Sequence, residues 1–494
     1  MSEIATIGNE LQDLDSFKFY TETQTDNGVK VKIKIAKVIE FWENRGFRTL
    51  KLPKGSYELV KIKSRSIICL ATEKELMQEI KHQLLTIDNK PNVWEVFMEG
   101  DYITKRSNLA LNMITEFKLN SCDSKTAYFF FKNGILKVMK DTKELIQYED
   151  YDGYVFENQI IDHSIVILGE KDYLKSEFDV FLKKVSNNNL ERYNHLTSAL
   201  GYIIHGYKDP SFTKALILVD ETVDFSGEAN GGTGKSIIGK AVSFMTSTLT
   251  KDGKSLNTKG NKFFYQDLNL SHKILNLDDV TKDLNFEDFY SVVTGELPIE
   301  EKYKSPYKIP FELSPKLMIS SNYMVKGSGG NSDERRRVEI EIFPYYSIEF
   351  SPMDDFKKRL FDDWDETEMN CFCNDMASYS QKFMINGIMT ANPINLKENK
   401  LKMETDISFV EFVDMDIVFN SGQIKVTKNK QLLYNLFREK HPAESRNLSA
   451  MMFKKWLDLW GKARGLEVLH RKSDGNSLVD FFKKIDSNTD TVKQ

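Results

Sequence analysis

The stretch from Ala215 to Met245, ALILVDETVDFSGEANGGTGKSIIGKAVSFM, constrains this chain more than any other. An apolar run leads into four glycines within residues 227–234, and Gly234-Lys235-Ser236 then opens a helix-forming run. Glycine has no Cβ, so Gly231, Gly232 and Gly234 let successive backbone N–H groups turn inward around an anion. The following helix points the positive end of its dipole at the same place. Strand, glycine-rich turn and helix in this order predict a phosphate-binding loop. Thr233 lies inside it, Lys235 reaches the β- and γ-phosphates, and the Ser236 hydroxyl ligates Mg2+. ATP and Mg2+ are the expected ligands. The usual first glycine of such a loop, seven residues before Ser236, is Ala229 here, with Gly227 two residues earlier.

Such a loop needs a carboxylate on a second strand. KILNLDD at 273–279 is a short apolar strand ending in two aspartates, and Asp279 lies 44 residues after Lys235. Asp278 fits the Mg2+ shell, and Asp279 is placed to orient or deprotonate the attacking water. A third apolar run, KLMISSN, ends in Asn322, which is either a plain turn residue or a polar group on that water or the γ-phosphate. Arg335-Arg336-Arg337 then opens the alternating strand VEIEIF, and Arg336 or Arg337 suits a charge-stabilising finger reaching a neighbouring subunit. Between the second and third runs lies TGELPIEEKYKSPYKIPFEL, two short extended pieces punctuated by Pro298, Pro306 and Pro310. They predict a hairpin carrying Lys302, Tyr303, Lys304 and Lys308, groups able to track phosphates and stack on a base.

This ordered set resembles the superfamily 3 helicases, and within them the phage- and poxvirus-type primase–helicase proteins. Gly231 to Ser236 match the family's Walker A loop and Asp278-Asp279 its Walker B. Asn322 matches the polar residue ending motif C, and Arg337, or Arg336 beside it, the arginine finger. The segments YFFFKNGILKV, LIQYEDYDGYVFENQIID and ERYNHLTSALGYIIHGYK look like the region preceding the ATPase, and LFDDWDETEMN like the helices after it. The resemblance implies an ATP-dependent replicative DNA helicase of a phage or mobile element, working as a homo-hexameric ring on single-stranded or forked DNA. ATP would sit at each subunit interface, the basic hairpin in the central channel, and a separate primase or polymerase would be a further partner.

Charge supports a local rather than a global nucleic-acid surface. The net charge is −5, so positive potential must come from a patch or from a channel formed on assembly. Forty per cent hydrophobic and 29% charged residues are ordinary for a globular protein, and no apolar run reaches about 18 residues, so a cytoplasmic chain without a membrane partner is expected. The acidic start MSEIATIGNELQDLDSF does not look like a leader. Cys69, Cys122, Cys371 and Cys373 have neither disulfide nor zinc-site spacing. Lys30, Lys32 and Lys34 alternate with Val31, Ile33 and Ile35, the mark of an edge strand with one charged face or, alternatively, of a nucleic-acid-binding strand.

The expected fold class is an α/β P-loop NTPase (AAA+-like) core with an N-terminal α+β/helical region and a C-terminal winged-helix-like domain. Its parts are a small α+β domain at 1–140, a helical domain at 141–210, the ATPase core at 211–350, a helical extension at 351–395 and the winged-helix-like domain at 405–494. The last rests on two helices followed by LEVLH, a Ser473-to-Asn476 turn and SLVDFF. Three other classes compete, one of them a non-catalytic DNA-binding initiator led by the C-terminal module. A primase in the same chain would need metal-holding carboxylates, for which Asp150 and Asp152 with Asp162 and His163 are the candidates, though no apolar strand leads into them. A packaging or loading ATPase would share the phosphate loop without unwinding.

Overall fold

The structure is a computed structural model that describes residues 17–26, 28–51, 57–100, 111–114, 122–169, 174–223, 231–256, 261–302, 306–327, 330–473 and 475–483. It divides into two compact units. The first is Met1–Leu218, Gly231–Ser321 and Val325–Ala391; the second is Val219–Asn230, Asn322–Met324 and Asn392–Gln494.

The first unit opens with an antiparallel ribbon, β1 (Tyr20–Thr25) and β2 (Gly28–Ile33), followed by α1 (Ile35–Asn44), β3 (Phe47–Lys51), β4 (Tyr57–Ile62), β5 (Ile67–Leu70), α2 (Glu73–His82), α3 (Pro91–Glu99) and β6 (Met113–Ile114). Phe19, Phe41, Trp42, Phe47, Ile80 and Phe97 close a core of their own here. The lysine-bearing strand is β2, in a two-stranded ribbon where both strands are edges. It carries only Lys30 and Lys32: it stops at Ile33, Lys34 is the N-cap of α1 and Ile35 its first residue. Next come β7 (Thr126–Phe131), β8 (Gly134–Met139), β9 (Lys143–Ile146) and β10 (Val155–Phe156). β7, β8 and β9 form a meander, and β10 pairs in parallel with β5 to end the sheet β10-β5-β4-β3-β6.

This corrects the expected boundary at residue 140 and the helical reading of 141–210. The β8–β9 pairing carries the meander to Ile146, and helix begins only at α4 (Glu177–Val185), followed by α5 (Leu190–Ile204). Between them YEDYDGYVFEN lacks an apolar period of 3.6 and forms two single helical turns flanking the two-residue β10 instead. Ser176 and Asn189 cap the two helices by accepting from Asp179 N–H and Arg192 N–H.

The main sheet follows: β11 (Ala215–Asp220), α6 (Lys235–Met245), β12 (Thr248–Asp252), β13 (Ile274–Val280), α7 (Tyr290–Thr294), β14 (Leu297–Ile299), β15 (Tyr307–Ile309), β16 (Lys316–Ser321), α8 (Asn331–Glu334) and β17 (Arg337–Ile342). The strand order is β12-β13-β16-β11-β17, with β12, β13 and β16 parallel. All six residues of β11 and all six of β16 are buried, as strands covered on both faces require. Short α9 (Pro352–Phe356) and the 21-residue α10 (Glu366–Asn386) complete the unit.

α10 crosses α5 so closely that a Cβ on Gly201 would lie 1.9 Å from Tyr379 O. It also returns polar groups to α4. Asp375 accepts from the Ser176 N–H at 2.8 Å and Oγ at 2.7 Å, and the Tyr379 hydroxyl donates to Asp179 at 2.7 Å. Burial alone pushes the Asp179 carboxyl up, but the Tyr193 and Tyr379 hydroxyls with Lys175 and Lys183 outweigh it and hold it below its ordinary value. At the opposite end of α5, Lys316 Nζ donates to Tyr202 O and His205 O, each at 2.6 Å, an ammonium placed on helix C-terminal carbonyls.

The second unit contains α11 (Leu396–Glu404), α12 (Ile407–Asp416), β18 (Lys425–Asn429), α13 (Lys430–Lys440), α14 (Ala450–Ala463), β19 (Leu466–Ser473) and β20 (Asn476–Lys483). Its antiparallel sheet has the order β18-β20-β19, and Phe409, Phe437, Phe453, Trp460 and Phe481 fill its core.

Candidate functional site

The site gathers at the C-terminal ends of parallel strands, where open α/β sheets usually place ligands. Of the glycine loop, Gly231 onward is described; Gly227 and Ala229 lie outside the described residues. Gly232 and Gly234 have φ of 99° and 103°, a region that L side chains rarely enter. Gly234 is also pinned sterically, since a Cβ there would stand 2.6 Å from the Phe181 ring of α4. Lys235 is the first residue of α6, is 6% exposed, and donates from Nζ to Thr233 Oγ1 at 3.1 Å. A lysine buried at a helix N-terminus sits where the dipole opposes its charge, so an anion there is favoured.

Ser236 is exposed, and its Oγ lies 3.3 Å from Asp278 Oδ1 at the end of β13. The same Asp278 oxygen accepts from the Ser320 hydroxyl of β16. The structure therefore brings the loop serine and the second-strand carboxylate together. That hydroxyl–carboxylate pair fits Mg2+, which keeps several waters and takes few protein carboxylates. Among the described residues no group of three or more His, Cys, Asp and Glu gathers to hold an ion by protein ligands alone.

Asp279 is the neighbour in sequence but not in geometry. The β13–β16 register breaks between Leu277 and Val280, and Asp279 takes a left-handed φ of 55° within that break. A bulge of this kind re-aims a side chain. Its backbone N–H donates to Ser320 Oγ at 3.0 Å, and its carboxylate meets Lys254 Nζ at 2.5 Å. Ser320 and Lys254 were not singled out in the sequence. Ser320 was within reach, because it occupies KLMISSN next to the aspartate strand; nothing local marks Lys254.

Asn322 follows β16 directly, is partly buried, and belongs to the second unit. The three arginines part company. Arg335 is exposed, and Arg336 is partly buried, donating from Nη1 to Ser332 O at 2.6 Å with its guanidinium 4.7 Å from the Tyr290 ring centre. Arg337, the first expectation for the finger with Arg336 beside it, is turned inward. It is 8% exposed, ion-paired with Asp333 and, at 3.3 Å, with Glu339, and it donates to Val325 O at 3.0 Å. The acid four residues earlier on α8 and the one two residues later on β17 hold it against its own chain.

The expected hairpin corresponds to β14 and β15, paired Leu297↔Ile309 through Ile299↔Tyr307. Lys302 is exposed, its Nζ 5.9 Å from the Phe263 ring centre. Lys308 is 56% exposed and 3.7 Å from Glu296. Tyr303 and Lys304 lie outside the described residues. The alternative carboxylates do not converge: Asp150 ends a one-turn helix, Asp162 pairs with Lys132, and His163 Nδ1 faces Glu366 at 2.9 Å. No described helix is long and apolar enough to cross a membrane.

A protein-family profile described as "Family of unknown function (DUF5906)" matches residues 225–337, less than a quarter of the chain and the span from the glycine loop to Arg337. No curated protein matches. Among solved structures the chain is similar to "The A form apo structure of NrS-1 C terminal region-CTR", at 12% identity over 90% of this chain and 99% of that one with a TM-score of 0.42. A second structure of that region gives 14% identity, the same coverages and 0.40. "Structure of Drosophila ORC bound to DNA" is similar at 10% identity over 65% and 92%, with a TM-score of 0.19. Scores of this size transfer neither fold nor function.

Proposed function

We propose that the chain is a P-loop ATPase that drives a replicative DNA helicase, with Mg·ATP bound between the glycine loop and the ends of β13 and β16. The observation that carries this reading is Ser236 Oγ 3.3 Å from Asp278 Oδ1, beside a buried Lys235 at the start of α6. Backbone N–H groups of Gly231 to Gly234 and the Lys235 ammonium bind the phosphates. Ser236 and Asp278 hold Mg2+, which when bound neutralises charge developing on the transferred phosphoryl group. Asp279 orients the attacking water. Arg336, with Arg335 exposed beside it, supplies charge to a neighbouring subunit's site in a hexameric ring, and Arg337 holds the β17 end of its own subunit in place.

DNA is gripped by the β14–β15 hairpin through Lys302, Lys308 and the intervening Tyr303 and Lys304. The second unit is the winged-helix-like module. Its order of helix, strand, two helices and two-stranded wing supports that reading, and α14 presents Met451 at 81% exposure with Lys454 and Lys455 on its outer side.

The test is ATP hydrolysis measured beside strand displacement on forked DNA, for the unaltered chain and for Lys235→Ala. Hydrolysis stimulated by DNA and displacement, both lost in the variant, are expected. DNA-stimulated hydrolysis without displacement on any fork would replace the helicase by a loading or packaging motor.

A further inference from the structure

Two adjacent aspartates end β13, and they face different partners. Asp278 meets Ser236; Asp279 meets Lys254 at 2.5 Å. The lysine reaches it from a turn that is fixed against the strand. Asp252 lies opposite Asp278 in the β12–β13 register, and its carboxylate accepts from Lys254 N–H at 3.1 Å. Ser255 Oγ closes the turn on Asp252 O at 3.0 Å. Gly253 makes the approach possible, because a Cβ there would stand 2.5 Å from Val280 N and Cα and 2.6 Å from Asp278 O. The backbone of the turn is therefore packed onto the bulge that carries Asp279. The Lys254 side chain itself is 65% exposed, and Asp279 34%. A fixed base with a solvated ammonium makes a weak, competable contact, since an exposed ion pair contributes little and an incoming anion can replace the carboxylate.

Resting on the ATPase reading, we propose that Lys254 is a positioning residue: it holds Asp279 away from the attacking water until phosphate draws the ammonium off. The phosphate has two possible sources, the nucleic-acid backbone or the bound nucleotide itself, and both offer the same anionic oxygens. No bond is made or broken in this step; one ion pair is exchanged for another, and the carboxylate becomes available to the water.

The experiment is steady-state ATP hydrolysis by the full chain with and without single-stranded DNA, comparing Lys254→Ala and Lys254→Arg with the unaltered protein. If DNA is the releasing phosphate, Lys254→Ala raises kcat without DNA about two- to fivefold, leaves KM in place, and lowers the stimulation by DNA in proportion. If the nucleotide releases the latch, Lys254→Ala lowers KM by a similar factor with kcat and stimulation unchanged. In either case Lys254→Arg keeps the parameters near those of the unaltered chain, whereas an exposed ion pair of purely structural role would leave kcat, KM and stimulation unmoved in Lys254→Ala. Equal kcat, KM and stimulation in Lys254→Ala and the unaltered chain overturn the latch alone. A fall in kcat overturns it too, making the lysine a helper. No hydrolysis by the unaltered chain removes the ATPase reading, and the latch with it.

Discussion

Asp278 receives hydroxyls from two directions on one carboxylate oxygen, Ser236 from the loop and Ser320 from the neighbouring strand. Asp278→Asn keeps the shape and removes the charge that a metal requires. Single-turnover hydrolysis in Mg2+ should fall by at least about 10²-fold, the size expected when one preorganised electrostatic contact to a phosphoryl transition state is lost. The arginines separate along a different line. Arg336→Ala should cost on the order of 10³ in turnover while sparing nucleotide binding and the melting temperature. Arg337→Ala leaves Asp333 and Glu339 as buried carboxylates without their cation, so it should destabilise the fold by about 3–5 kcal/mol, read from denaturant midpoints. Similar losses of stability in both variants would sink the division of roles. The sequence marked Arg336 and Arg337 alike, because the spacing of a basic run carries no information about which guanidinium the fold turns inward.

At the scale of elements, the crossing of α5 and α10 depends on Gly201. Gly201→Ala forces backbone apart at Tyr379 O, and a loss of about 3 kcal/mol or more is expected in equilibrium unfolding. Where α5 ends, two lysines are held in an apolar place. Burial pushes Lys316 and Lys208 down to about 7 from an ordinary 10.5. Lys208 Nζ donates to Val292 O at 2.8 Å and Ser314 Oγ at 2.6 Å. A folded-state pKa below the unfolded value means that the unfolded chain binds more protons between the two. Stability therefore rises with pH through that window, from about 7 toward 10.5, and is lowest below it, where both ammoniums are charged inside. Thermal midpoints across pH 7–10 should climb, and Lys316→Met should flatten the climb. A midpoint that falls steadily over that range would contradict the assignment. These elements differ in how far the sequence revealed them. ALILV and KLMIS announce buried strands by composition alone, whereas residues 141–169 carry neither period, and the short strands there are set by pairing with β8 and β5.

For the whole molecule, a chain of net charge −5 can hold a polyanion only where lysines are concentrated. Lys302→Ala with Lys308→Ala should weaken single-stranded DNA binding and flatten its salt dependence by about 0.7 in the log–log slope for each phosphate contact removed, while hydrolysis without DNA continues. An unchanged slope would move the grip to another surface. The candidate site was legible as far as Ser236 and Asp278, because both lie within a short ordered run of strand-ending motifs. Lys254 was not, since its meeting with Asp279 depends on how β12 and β13 are registered rather than on any local signal.

The contacts that α10 makes with α4 have a consequence for the order in which the chain is made. Ser176 and Asp179 wait for Asp375 and Tyr379, about 200 residues later, before their polar groups are satisfied. A chain emerging from the ribosome thus carries α4 and α5 through the synthesis of the entire main sheet with one wall missing. A nascent chain released before about residue 386 exposes the Phe178–Phe372 contact surface and should be taken up by chaperones or degraded, whereas one released after it can close. Folding of the first unit is in this way tied to completion of its last sheet-side helix, and arrest-peptide force measurements should show the folding pull only once α10 has left the tunnel.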